Sequence, residues 1–289
     1  MDNVFIPIVR ISERSVVTYS IPTTRPRRTE KQEETRENLV KGKPKGVISD
    51  KSRRRLRQIA EGWILGIQEA KKQKKAHVGN EKKYITFVTL TLSGKQRHND
   101  CEIKRELLNY FLIYCQRKFG VREYIWRAES QQNGNIHFHL FLDKYIHYKL
   151  LRDLWNSTQE RLGYISDFAS IYGHNNPNST DIQRIRSSKG ATIYVSKYIA
   201  KESEYRTLEG RVWGCSDNLK NILPFEDIAD SSHWQLISEL KKQPKIKHIH
   251  EEHYQVFCGD IKRIIADYFP KIEKEITAHY VNNYKKTYP

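Results

Sequence analysis

The sequence predicts an α+β fold, with a central antiparallel β-sheet, helices packed on it and helical extensions at both ends. Three observations carry this. Residues 124–140 alternate with the period of two that a strand imposes: Tyr124, Trp126 and Ala128 against Ile125, Arg127 and Glu129, then Ile136, Phe138 and Leu140 against His137 and His139. Between those runs Asn133-Gly134 is a strong hairpin signal, and it folds Glu129 back beside the two histidines. Elsewhere, apolar residues recur at three-four spacing, the stripe of an amphipathic helix.

In chain order, two short apolar runs (Val4 to Val9 and Val16 to Tyr19) either add a strand or stay loose. Thr23 to Gly46 is charged and turn-rich with little to bury, so residues 1–46 read as a flexible basic arm. A helix follows, with Ser49 or Asp50 as its N-cap and Leu56, Ile59, Ala60, Trp63, Ile64, Ile67 and Ala70 as its apolar stripe. Arg53, Arg54, Arg55 and Arg57 crowd its first turns, where the helix dipole disfavours cations. A phosphate partner or a solvated basic face explains them equally well.

The run ITFVTLTL (Ile85 to Leu92) is apolar or threonine throughout, as expected of a strand covered on both faces, and Thr89 and Thr91 share one of those faces. Asp100 to Phe119 reads as a helix closed by Gly120, with Ile103, Leu107, Tyr110, Phe111, Tyr114 and Cys115 buried. After the hairpin a helix runs from about His147 to Leu162 on Leu150, Leu151, Leu154 and Trp155. Tyr164 to Asp181 is turn-rich, and Arg184 and Arg186 alternate in a short basic strand from Ile182. Further on, Ser231 to Leu240 and Asp260 to Tyr284 look helical, the latter interrupted by Pro270. His248, His250 and His253 sit in a segment that reads as exposed and polar.

Composition narrows the function. A net charge of +17 over 289 residues implies an anionic partner, and nucleic acid is the first choice because lysine and arginine neutralise phosphates and release counterions. No run approaches the roughly 18 apolar residues of a membrane span, and the N-terminus lacks the pattern of a secretory signal, so a cytoplasmic protein without a membrane partner is expected. The four cysteines contain no C-x-x-C pair, which argues against a zinc ribbon and a disulfide framework.

Two elements suggest chemistry. One carboxylate and two imidazoles on one strand face, Glu129, His137 and His139, suit a divalent ion that keeps positions open for substrate. Alone, the His-x-His pair is equally two half-exposed strand residues. The second element is ATIYVSKYIAK (Ala191 to Lys201), which as a helix places Tyr194 and Tyr198 on one face and Lys197 and Lys201 on a neighbouring one. A phenol with a pKa near 10 is a poor nucleophile at neutral pH until a cation stabilises the phenolate, and a lysine one turn on supplies that charge. By itself this helix reads as readily as an ordinary amphipathic one.

Taken in order, FVTLTL (Phe87 to Leu92), the His-Phe-His at 137–139 and the doubled Tyr-x-x-Lys resemble the HUH endonucleases, specifically rolling-circle replication initiators of plasmids and single-stranded-DNA phages. The resemblance spans roughly Tyr84 to Lys201, and RVWGCSDNLK (Arg211 to Lys220) is similar to phage-type initiators as well. It implies His137 and His139 as metal ligands with Glu129 as the third, Mg²⁺ or Mn²⁺ as the ion, Tyr198 and Tyr194 as nucleophiles, and Lys201 and Lys197 as their supports. It further implies site-specific nicking of single-stranded DNA at a replication origin through a 5′-phosphotyrosine.

No Gly-rich phosphate loop is present, so unwinding and synthesis would fall to a host helicase and polymerase. On this reading residues 47–205 form the nuclease domain and 206–289 a helical appendage. A transposase or relaxase of the same superfamily would use the same residues; a non-catalytic DNA-binding protein and a zinc-dependent hydrolase are the other readings.

Overall fold

The computed structural model describes residues 4–24, 30, 46–73, 85–185 and 205–287. The chain divides into two units, one of residues Met1–Gly42, Glu61–Lys75 and Ile222–Pro289, the other of Lys43–Ala60 and Ala76–Asn221.

In the first unit the two N-terminal apolar runs are strands, β1 (Phe5–Ile11) and β2 (Ser15–Pro22), paired as a hairpin. Val9, Ile11 and Val16 are buried on one face while their neighbours are not, which is the alternation that makes a one-sided sheet.

The second unit supplies the scaffold of the candidate site. Helix α1 (Asp50–Gln73) begins in it, and Ser49 Oγ accepts the Ser52 amide at 3.2 Å as its N-cap. Then come β3 (Thr86–Leu90), α2 (Asp100–Ile103), a π-helical turn (Lys104–Leu108) and α3 (Asn109–Phe119). The hairpin is β4 (Tyr124–Ser130) and β5 (Ile136–Leu142), followed by α4 (Tyr148–Glu160), α5 (Tyr164–Tyr172), β6 (Thr180–Arg184), β7 (Trp213–Cys215) and the short α6 (Asp217–Lys220). The sheet has the order β6-β3-β5-β4-β7, and every neighbouring pair is antiparallel.

One face of this sheet is closed by helices. Phe138 meets Trp155 edge-on with centroids 6.3 Å apart, Trp155 meets Phe111 at 5.6 Å, and the Trp155 indole N–H donates to the Thr91 carbonyl at 2.7 Å. Gly120 ends α3 in the left-handed region (φ 64°), which a side chain would resist.

The C-terminal part of the chain completes the first unit. It contains β8 (Phe225–Ile228), α7 (Ser231–Lys242), β9 (Lys247–His250), β10 (Tyr254–Cys258), α8 (Ile261–Tyr268) and α9 (Pro270–Thr287), giving a sheet of order β8-β1-β2-β10-β9. Asp230 caps α7 reciprocally with His233, and Pro270 opens α9, where its missing N–H is harmless. Among the described residues no helix is long and apolar enough to cross a membrane.

Several expectations are corrected. Tyr114 and Leu150 are exposed rather than core, because each sits at the edge of its helical stripe. Tyr164–Tyr172 is a helix inside the segment read as turns; its N-terminus is held by Glu160, whose carboxylate accepts the Ser166 amide at 2.9 Å, a cap from the preceding helix that local spacing does not reveal. Asp100 to Phe119 is helical as expected but with π geometry in its middle. Beyond residue 206, strands accompany the helices: β10 reads as polar because only Phe257 of it is buried, and it forms by pairing with β2.

Candidate metal centre

The hairpin register fixes the site. Glu129 lies directly opposite His137, and Arg127 opposite His139. Directly opposed residues share a face, so all four side chains project from the side of the sheet away from Phe138. The turn at 131–135 is pinned from several directions. The Asn135 side-chain amide donates to the Gly94 carbonyl at 2.8 Å, the Ile136 amide donates to Gln96 Oε1 at 2.7 Å, and the Arg206 guanidinium donates to the Gly134 carbonyl at 2.7 Å. A slip of one residue would send both histidines to the opposite face.

The donor atoms of Glu129, His137 and His139 all lie within 4.8 Å of one another, and this is the group among the described residues that could hold a metal ion. Glu129 Oε2 stands 3.6 Å from His139 Nε2 and 3.7 Å from His137 Nε2, ion-pair distances longer than hydrogen bonds. Glu129 Oε1 and both ring nitrogens of His137 are buried with no hydrogen-bond partner. Buried polar atoms without partners are uncommon and costly, and a divalent cation satisfies this set. The donor chemistry of two imidazoles and one carboxylate fits such an ion and leaves positions open.

Electrostatics favour the ligating protonation states. Burial alone would raise the Glu129 carboxyl, but the two imidazoles and the Arg127 guanidinium hold it down to about 2, so it is ionised at neutral pH. Burial lowers the pKa of His139, against the opposing pull of Glu129, and so favours the neutral imidazole that binds metal. His139 Nδ1 lies 3.2 Å from Thr89 Oγ1 on β3, and its ring stacks on Phe87 with centroids 5.4 Å apart. Thr89 sits directly opposite His139 in the sheet, the placement that its shared face with Thr91 suggested.

The other sequence-predicted residues divide. Arg55 donates to the Lys220 carbonyl at 2.6 Å, Arg53 pairs with Asp50 at 3.5 Å, and Arg54 and Arg57 are exposed. Arg184 lies on β6, opposite Thr86. Tyr194, Lys197, Tyr198, Lys201 and Arg186 lie outside the described residues.

Two residues went unread in the sequence. Arg127 is buried on the site face and donates Nη1 to the Val212 carbonyl at 3.0 Å; a basic residue in strand alternation beside Glu129 was its only signal. Arg206 binds Asp100 with both Nη atoms besides reaching the hairpin turn, and nothing local marks it.

No curated protein and no solved structure matches the chain. Residues 85–203, which carry Glu129, His137, His139 and both Tyr-x-x-Lys motifs, match the model of the family described as replication-associated protein ORF2, and this part of the chain is a replication-associated domain of rolling-circle initiator type.

Proposed function

We propose that the protein is a rolling-circle DNA replication initiator, a metal-dependent tyrosine endonuclease and strand transferase acting on single-stranded DNA at an origin. The observation that carries this is the Glu129, His137 and His139 cluster, with its partnerless buried atoms, inside the segment that matches a replication-associated family. His137, His139 and Glu129 would hold Mg²⁺ or Mn²⁺; two imidazole ligands tilt the choice to Mn²⁺. When bound, the ion supplies Lewis-acid polarisation of a phosphate oxygen.

The chain's own residues do the rest. The phenolate oxygen of Tyr198, with Lys201 stabilising its charge, forms a bond to the scissile phosphorus. The P–O3′ bond breaks, the 5′-phosphate stays on the tyrosine, and the departing 3′-oxygen takes up a proton to become the primer hydroxyl. Tyr194, with Lys197, would serve a second transfer that closes and releases a circle. Helicase and polymerase functions would come from the host.

The test uses a labelled single strand carrying the origin of the element that encodes the protein, incubated with Mn²⁺ or with EDTA. A covalent adduct on a denaturing gel that requires metal and is lost in His139→Ala and in Tyr198→Phe or Tyr194→Phe supports the reading. Absence of any adduct with binding preserved in every variant replaces it with a non-catalytic DNA-binding protein.

A further inference from the structure

A cleft of about 560 Å³ opens at the β7 edge of the second unit, lined by Ser52, Arg55 and Ile59 of α1 and by Arg211, Trp213 and Lys220, and none of its lining residues is acidic. Its volume lies in the range of small-ligand sites of roughly 300–1,000 Å³. Three cations meet there. Lys220 is paired with the exposed Asp217, and Arg55 is held against the Lys220 carbonyl at 2.6 Å. Among the described residues Arg211 has no carboxylate partner. Trp213 is half-buried, so part of its indole is open to the cleft.

The register links this cleft to the candidate metal centre. Trp213 lies opposite Arg127, and Arg127 opposite His139, so the indole projects from the face that carries the cluster, two strands away. Two strand spacings are roughly 10 Å. We propose that this cleft is a nucleotide-binding subsite for single-stranded DNA, in which one base stacks on Trp213 while Arg211, Arg55 and Lys220 take the adjoining phosphates. An aromatic face beside clustered cations is the combination that holds single strands without reading sequence. This inference rests on the functional reading above for its substrate, but it requires no chemistry.

The test is therefore binding of a fluorescent oligothymidylate single strand to the full chain in EDTA, followed by anisotropy across a salt series. Trp213→Ala weakens binding about tenfold, Trp213→Phe retains most of it, and Arg211→Ala and Lys220→Ala each lower the salt slope by roughly one. An oligonucleotide carrying a photoreactive 5-iodouracil cross-links to Trp213. Unchanged binding in Trp213→Ala, equal losses in Trp213→Ala and Trp213→Phe, or equal losses on duplex DNA would overturn the subsite. Failure of the covalent-adduct assay with this binding pattern intact would sink the nicking reaction and leave the subsite standing.

Discussion

Thr89 Oγ1 and His139 Nδ1 lie 3.2 Å apart across the β3–β5 pair, and that contact decides which imidazole nitrogen faces Glu129 as a lone pair. With the proton on Nδ1 donated to Thr89, Nε2 is free to ligate. Thr89→Ala should weaken Mn²⁺ binding about 10–100-fold, while Thr89→Ser retains it. Isothermal titration against the metal-free protein measures this, and equal affinity in Thr89→Ala and wild type would dismiss the role.

Glu129 brings the only negative charge of the cluster. Ion binding to the folded state alone raises stability by about 2.7 kcal/mol at one hundred times Kd. Mn²⁺ should therefore raise the melting temperature of the wild type, and Glu129→Gln should remove most of that increment. A metal-induced shift that persists undiminished in Glu129→Gln counts against the three-donor site.

Asp100 is buried and grips Arg206 with both oxygens, at 2.6 and 2.7 Å. Burial would raise its carboxyl, but the Arg206 and Gln96 side chains and the Glu209 amide hold it below the ordinary 3.8. A carboxyl depressed on folding contributes stability that is complete above its unfolded value near 3.8 and is lost as pH falls through the lower folded value. Asp100→Asn should cost about 2–4 kcal/mol at pH 7 and flatten the stability profile below pH ~4. Urea melts at pH 7 and pH 3 show it; parallel losses for mutant and wild type between the two pH values would contradict it.

Gly214 lies against the Trp126 indole, and an added Cβ would come within 2.7 Å of Trp126 Nε1. Gly214→Ala should destabilise by about 1–3 kcal/mol through the displaced ring. A thermal melt unchanged in this variant would show that Trp126 gives way freely.

The hairpin and its donors were legible because both signals are local: a period of two and an Asn-Gly turn fix which side chains share a face. Helix α5 escaped notice because its N-terminal amide partner, Glu160, belongs to another helix. Strand β7 is three residues long, too short for a pattern, so Trp213 became a neighbour of Arg127 only through pairing. Arg206 was invisible for the same reason, since its partner Asp100 is 106 residues away.

Contact range also orders the assembly of the metal centre. Glu129 meets His137 across a turn at 131–135, whereas Thr89 reaches His139 over 50 residues. Closing the longer loop costs roughly 1.6 kcal/mol more chain entropy than closing the shorter one. The liganding trio can thus assemble as an early folding event, and its hydrogen-bonding brace arrives only when β3 docks. Folding intermediates would then hold metal with less orientational control than the native state.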